Sequence, residues 1–298
     1  MAGCHRAPQR TDEAPKRARD GSPAAAKFAD GVISDAREQW RITFTPDGTT
    51  AYFASSDDFF PVTRKATIYV SRLQGDAWST PVVAPFSGEY SDIDPFISPD
   101  GERLYFSSIR PVGGVMRGDI DIWYVARTDG GWGDPVRLGP EVNSPMDELY
   151  PSADAAGTLY FASGPAAPHA ERHWDIFRAA RRGDAFEARE GLEAINTTPV
   201  PGGGLQDAWE FNPEISVNGE TLVFTSLRPG GYGLGDLYVS RRAGAAWSAP
   251  RNLGPLVNTA ADEFHPTLSR SRTELFFVRR GPHRGDFYSI DARALGLK

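Results

Sequence analysis

Apolar residues fall in short alternating runs along this chain, and glycine, proline or asparagine interrupts them every few positions, the pattern of many short strands. The stretch Trp209 to Asn258 shows the unit most plainly. A first strand lies around Glu214 to Ser216, and Val217-Asn218-Gly219 makes a tight turn, since Asn-Gly tolerates positive φ. Leu222 to Ser226 is a β-rich second strand, Arg228 to Gly231 opens a polar loop, and Asp236 to Ser240 is the third strand. Trp247, with Leu253 downstream, marks the fourth. The stretch predicts one four-stranded antiparallel meander.

The unit recurs. Its turn falls at Gly48, Gly101, Gly157 and Gly219, with Arg272 in the last copy, so the five copies are spaced 53 to 62 residues apart. Pro95, Pro151, Pro213 and Pro266 stand six residues before the turn, and Ile42 takes that place in the first copy. Fourth-strand aromatics recur at Trp78, Trp132, Phe186 and Trp247. The fifth copy has no such strand, whereas Phe28 to Glu38 matches the segment Leu138 to Glu148 that follows a fourth strand. Residues 28 to 34 are therefore expected to pair with the third strand around Phe287-Tyr288 and close the ring. The expected fold is all-β: a closed five-bladed β-propeller over residues 28–298, preceded by a disordered basic, Pro- and Ala-rich tail over 1–27. A closed ring without open edges is expected to be a monomer.

Charge narrows the partners. The chain carries 39 acidic and 32 basic residues, a balance of −7. Residues 1–27 hold six basic and three acidic residues (+3), which leaves −10 for the body and argues against nucleic acid. No run of eighteen apolar residues occurs, so no membrane-spanning helix is expected. Cys4 is the sole cysteine, which excludes an intrachain disulfide and a cysteine-based metal site. Met-Ala-Gly-Cys4 has the form of a lipoprotein processing site, although the apolar stretch such a signal requires is not part of this sequence. Lipidation at Cys4 and an exported, periplasmic or outer-membrane-anchored location are the expectation, against an incidental thiol.

The turns Ser98-Pro-Asp-Gly101 and Thr45-Pro-Asp-Gly48, Leu104-Tyr-Phe-Ser-Ser108, the Arg228-Pro-Gly-Gly-Tyr-Gly233 loop, Asp236-Leu-Tyr-Val-Ser240 and Trp247-Ser-Ala-Pro-Arg-Asn-Leu-Gly254 resemble the propeller repeats of TolB and its relatives, a WD-like, Pro-Asp variant found in bacterial envelope proteins. The resemblance covers residues 37–298. It implies a propeller and a non-catalytic binding or scaffold role in the cell envelope, with a protein, peptide or glycan as partner. TolB resembles a six-bladed ring with an extra domain. This chain shows neither, so TolB's own role is not implied.

Candidate chemistry lies at the start of each first strand. Glu38, Asp92, Glu148, Glu210 and Glu263 recur there, with Asp94 beside them, and Trp40, Tyr150, Trp209 and His265 come from the same segments. Five equivalent positions would gather these groups around one channel mouth, able to hold a cation, an amine-bearing peptide or a sugar. The alternative is that each acid caps its own loop. No organic cofactor is called for; calcium is the metal that such oxygen ligands would suit. Enzyme motifs are missing: there is no G-x-S-x-G, no H-E-x-x-H and no phosphate-binding loop, and the pair His169 and His173 sits in a proline-containing loop. The alternative function is a glycan-acting hydrolase using mouth carboxylates.

Overall fold

The computed structural model describes residues 24–166, 173–198 and 209–297, and it is a five-bladed β-propeller of four-stranded antiparallel blades. The innermost strands are Glu38–Phe44, Asp92–Ile97, Asp147–Ala153, Glu210–Ile215 and Asp262–Leu268. Each pairs through its hairpin with a second strand, and that with a third. A phenylalanine at the centre of every second strand (Phe53, Phe106, Phe161, Phe224, Phe277) is fully buried. Four of these rings stack on a third-strand aromatic at 5.9–6.2 Å, as Phe53 does on Tyr69.

The outer strand differs from its expected form. In the first four blades it is broken into two short pieces, such as Ala246–Trp247 and Arg251–Asn252. In blades one, two and four both pieces pair with the same third strand, and in blade three the first of them, Ala185–Phe186, pairs with Arg181–Arg182 just beyond the third strand. Pro81, Pro135 and Pro250 sit in the breaks of three of them, because proline has no N–H for the ladder. Blade five takes its outer strand from the other end of the chain: Ala26 pairs with Ser289 and Lys27 with Tyr288, and the Phe28 N–H donates to the Phe287 carbonyl at 2.7 Å. Pairing at Phe287-Tyr288 is as expected, but the strand begins at Ala26, inside the span assigned to the tail. Residues 29–34 form a turn instead, with Ala29 at φ 45°.

That turn belongs to a second repeated device. After each outer strand a short polar side chain docks on the third strand. Asn143 accepts the Ile122 N–H (2.7 Å) and donates to the Ile122 carbonyl (2.9 Å), standing in for a strand neighbour. Asn196 and Asn258 do the same to Ile176 and Leu237, while Ser87 and Ser34 accept the N–H of Ile68 and Phe287. The residue before each one (Ile33, Phe86, Val142, Ile195, Val257) is buried.

Every innermost strand has a bulge after its second or third residue, as between Ile93 and Phe96. The recurring prolines occupy these bulges, where no ladder N–H is lost, and the residues before them hold positive φ: Asp94 56°, Tyr150 63°, Asn212 53° and His265 50°. Among the described residues no helix is long and apolar enough to cross a membrane.

Removing residues 1–28 takes away the closing strand and Phe28, whose ring meets Phe44, Trp78 and Phe276 edge-on at 5.0–6.0 Å. A chain lacking 1–28 should be less stable than one lacking 1–23 by at least ~2 kcal/mol, the value of one buried aromatic. Equal melting temperatures would show that the closing strand is dispensable.

Candidate functional site

The recurring acids do not open onto a common mouth. Glu210 is fully buried and accepts from Thr197 N–H (2.8 Å), Thr197 Oγ1 (2.6 Å), Ser226 Oγ (2.7 Å) and Arg228 Nη2 (3.0 Å). Glu148 holds the corresponding set from Ser144, Ser163 and Arg189, and Glu263 one from Thr259 and Arg279. Asp92 takes Ser108 and Arg110. Each arginine also lies over an aromatic ring of its blade, from 4.7 to 5.3 Å for Arg110 on Phe106, Arg189 on Phe177, Arg228 on Tyr238 and Arg279 on Tyr288. These carboxylates are clamps between the incoming loop, the second strand and an arginine. The mouth expectation gives way to loop capping for a physical reason: a carboxylate taken from water is tolerated only with charge and hydrogen bonds around it. Burial raises the pKa of Asp92 and of Glu148, with arginine and hydroxyl donors opposing it.

Blade one varies the device. By strand register Gln39, paired with Ser55, occupies the clamp position. The carboxylate comes from Asp35, which takes Gln39 Nε2 (2.9 Å) and Arg37, and Arg37 lies 4.1 Å from the Tyr69 ring. Glu38 instead fastens the ring seam, accepting from Gly285 N–H of blade five (3.0 Å) and Arg280 Nε (2.6 Å). Asp147 and Asp262 make the same backbone contact to the preceding blade, at Ile120 and Gly235.

The bulge residues do converge. Arg41, Asp94, Tyr150, Asn212 and His265 hold one equivalent position in five blades, and all but Tyr150 are buried. His265 Nδ1 lies 3.5 Å from Asp94 Oδ1 and 3.1 Å from Asn212 Nδ2. Arg41 Nη2 donates to Glu214, which also accepts the Leu268 N–H at 3.0 Å. Burial pushes Asp94 up to about 7, against the pull of Arg41 and the Tyr150 N–H, and pushes Glu214 to about 7 against Arg41 and the Leu268 N–H. Burial first, and then Arg41, hold the His265 pKa well below its usual value. Rings cap this node on the upstream side: His265 meets Trp40 (5.9 Å) and Tyr150 (5.4 Å), and Tyr150 leads through Phe211 to Trp209.

Below the node, where the innermost strands turn back, lies a funnel of about 600 Å³. Hairpin residues of four blades surround it (Pro46 and Asp47, Ser98 and Pro99, Ser216 and Val217, Ser269 to Thr273), blade three contributes Ala153, and Glu214 lies on its floor. Phe28, Phe44, Trp78 and Phe276 form an aromatic side wall, and Arg270 reaches across to donate to the Pro99 carbonyl. A second hollow of about 500 Å³ lies between the upper loops of blades one and two, beside Tyr69, Lys65 and Tyr90.

Of the expected site residues, Trp40, Asp94, Tyr150, Trp209 and His265 are thus gathered at the channel, whereas Glu38, Asp92, Glu148, Glu210 and Glu263 are engaged in blade junctions. Cys4 and His169 lie outside the described residues. Among those described, no three His, Cys, Asp or Glu side chains converge as metal ligands; the acids expected to suit calcium face arginine instead. Arg41 and Glu214 escaped the sequence reading. Aligning the residue before each bulge proline would have found Arg41, and Glu214 follows Pro213 directly.

No protein-family model matches the chain, and no curated protein does. Solved propellers do resemble it. TolB from Acinetobacter baumannii is 14% identical with a TM-score of 0.50, over 86% of this chain and 54% of that one; the chain thus spans about half the length of that protein. A putative TolB from Agrobacterium tumefaciens is 18% identical with a TM-score of 0.50, over 82% and 70% of the two chains. An alpha-L-arabinofuranosidase from Lactobacillus brevis is 14% identical with a TM-score of 0.53, over 88% and 93%. At such identities the likeness establishes the propeller fold alone.

The clamps make a direct prediction. Arg228→Met leaves Glu210 buried without its cation and should cost about 3–5 kcal/mol in urea unfolding, whereas the double change with Glu210→Gln should cost less than half as much. A single-mutant loss below about 1 kcal/mol would put the pair with solvent-screened surface bridges.

Proposed function

We propose that this protein is a non-catalytic binding module of a bacterial cell envelope, and that its ligand or protein partner enters the hairpin-end funnel. One observation carries the reading: the upstream carboxylates are spent on blade junctions, while a funnel of about 600 Å³ lies at the opposite end of the channel, among the hairpins. A rigid ring presenting turns from several blades to one cavity suits recognition of a peptide segment or a compact glycan, since such turns vary without disturbing the blades. The envelope setting rests on the TolB-like repeats, and anchoring through Cys4 belongs to the same proposal.

A glycan hydrolase is the second reading. It is favoured by Asp94 and Glu214, two axial acids pushed up to about 7, and by the similarity in fold to an arabinofuranosidase. Glycoside hydrolysis requires a pair of carboxyl groups that can flank the scissile bond. Both acids are buried here, and Glu214 is tied to Arg41, which weighs against it.

Two assays separate the readings. Val217 lies half-buried on the funnel wall, so Val217→Trp should lower affinity for envelope-derived peptide or peptidoglycan fragments at least tenfold while leaving the melting temperature within a few degrees. Unchanged binding by this variant would move the site elsewhere. Dye-linked arabinan should show no release; release abolished by Asp94→Asn or Glu214→Gln would establish the hydrolase instead.

A further inference from the structure

The polar groups around the funnel are unequally engaged, and the difference determines what it can hold. Each hairpin hydroxyl at the rim already accepts the backbone N–H five residues ahead: Thr45 Oγ1 from Thr50 (3.0 Å), Ser98 Oγ from Arg103 (2.9 Å), Ser216 Oγ from Thr221 (2.9 Å) and Ser269 Oγ from Glu274 (2.9 Å). The other hydroxyls on the wall are bonded within the chain as well. An enclosed sugar needs partners for its many hydroxyl groups, and this wall has few to give. The acids are engaged too. Asp47 accepts from Thr45 Oγ1 (2.6 Å) and the Thr49 N–H (3.0 Å), and Glu214 is bonded to Arg41 and the Leu268 N–H. Glu274 is half-buried, and burial raises its pKa against the Ser289 hydroxyl.

Two features remain for a ligand, and the first is a pair of cations. Arg270 crosses from the blade-five hairpin to blade two, where its acceptor is the Pro99 carbonyl, a neutral group. Arg272 holds the same hairpin turn at φ 54°. Among the described residues neither guanidinium is ion-paired, whereas the clamp arginines Arg110, Arg228 and Arg279 are. A carboxylate is a stronger acceptor than a peptide carbonyl, and a guanidinium meets it with two parallel N–H bonds. The second feature is the aromatic wall. Phe28, Phe44 and Trp78 line the funnel half-buried. Their rings, together with Phe276, meet at 43–87°, so the wall is faceted and suits a bulky side chain better than the flat face of a sugar. Phe276 follows Arg272 by four residues, at most about 13 Å along a strand, so one short peptide end can reach both.

We propose that the funnel takes the C-terminus of a peptide whose last residue is large and apolar. The carboxylate sits on Arg270 and Arg272, and the side chain lies against Phe28, Phe44 and Trp78. Arg270 exchanges the Pro99 carbonyl for the carboxylate, which opens the way between the two hairpins it bridges. The inference rests on the funnel being the ligand site. An internal peptide segment brings no carboxylate and leaves both guanidinium groups without an anion, so chain ends are selected over chain interiors. The volume of about 600 Å³ falls within the roughly 300–1,000 Å³ of small-ligand sites, which fits the last few residues of a chain rather than a folded domain.

The test uses the full chain in calorimetric titrations with N-acetylated Gly-Ser-Gly-Ser-Phe bearing a free carboxylate. Its C-terminal amide and the same peptide ending in serine are the comparisons. The free acid should bind at least tenfold more tightly than either, the loss expected for one charge-assisted contact or one buried apolar side chain. A chain carrying both Arg270→Gln and Arg272→Gln should bind the acid no better than the unaltered chain binds the amide. Its melting temperature should stay within a few degrees, because both side chains project from a turn. Equal affinity for acid and amide, with both weakened by Val217→Trp, overturns the carboxylate and keeps the funnel as the ligand site. Equal affinity for the phenylalanine- and serine-ended peptides overturns the role of the aromatic wall. Acid binding that survives Val217→Trp overturns the funnel reading itself. No binding of any peptide overturns the peptide end; peptidoglycan fragments that bind and are lost in Val217→Trp then make the funnel a glycan site. Should the double arginine variant fail to fold, the acid and amide comparison on the unaltered chain decides.

Discussion

The buried carboxylate–arginine clamp at each blade junction is the constraint on which the ring depends. A propeller blade is a flat meander whose innermost strand begins where the chain crosses from the preceding blade, and that crossing leaves backbone N–H groups inside the ring wall. One acid at the start of the strand gathers them. Glu210 holds the crossing at Thr197, the second strand at Ser226 and an arginine that covers the blade's aromatic pair. A neutral residue could cap the loop, but only a carboxylate can take three or four donors at once and still attract the guanidinium. Burying the pair adds little net stability, yet removing either member leaves a charge in a dry wall, so the two are fixed together.

The ring is closed by the same means at higher density, because the covalent break falls inside blade five, between its third strand Gly285–Asp291 and the outer strand Ala26–Lys27, whose chain runs on into blade one. Within blade five the outer strand is held by pairing at Ala26 and Lys27 and by the Ser34 hydroxyl on Phe287, and blade five meets blade one through Glu38 on Gly285 and Arg280 and Thr267 Oγ1 on the Ile42 carbonyl at 2.7 Å. Gly285 is tied to the seam by space as well: a Cβ there would stand 3.1 Å from the Gln39 carbonyl and 2.7 Å from Val278. Several modest contacts in parallel hold where one connecting segment would otherwise serve.

The sequence disclosed the repeat, the blade count and the origin of the closing strand, because strand period, Asn-Gly or Asp-Gly turns and recurring proline are local signals. Proline even marked the bulges, although what it signified (a strand re-aimed toward the axis) is a property of the sheet. The acids were visible as a recurring set, but their direction was not. A carboxylate at the start of an inner strand can face the channel or the junction, and the arbiter is the arginine two positions after the second-strand serine, as in Ser108-Ile-Arg110 and Ser226-Leu-Arg228. In blades one and three that arginine comes from elsewhere, Arg37 and Arg189, and in blade five Arg279 takes the serine's own place, so no fixed spacing announces it. The closing strand began two residues early for a similar reason: Ala26 and Lys27 carry no strand signature and are recruited by the bare edge of the last blade.

What distinguishes this ring from a purely repetitive one lies on the axis. At the clamp position the blades repeat nearly the same chemistry, as a structural role requires. At the bulge position they diverge completely, to arginine, aspartate, tyrosine, asparagine and histidine. A scaffold alone would be served by small or apolar residues there, without the cost of four non-glycine residues at positive φ and of buried polar atoms without partners. Stability does not account for that choice, since an apolar plug would fill the channel as well and satisfy every atom. The divergence is what the proposed use of the channel would require, and Arg41, bonded to Glu214, links the axis to the funnel floor.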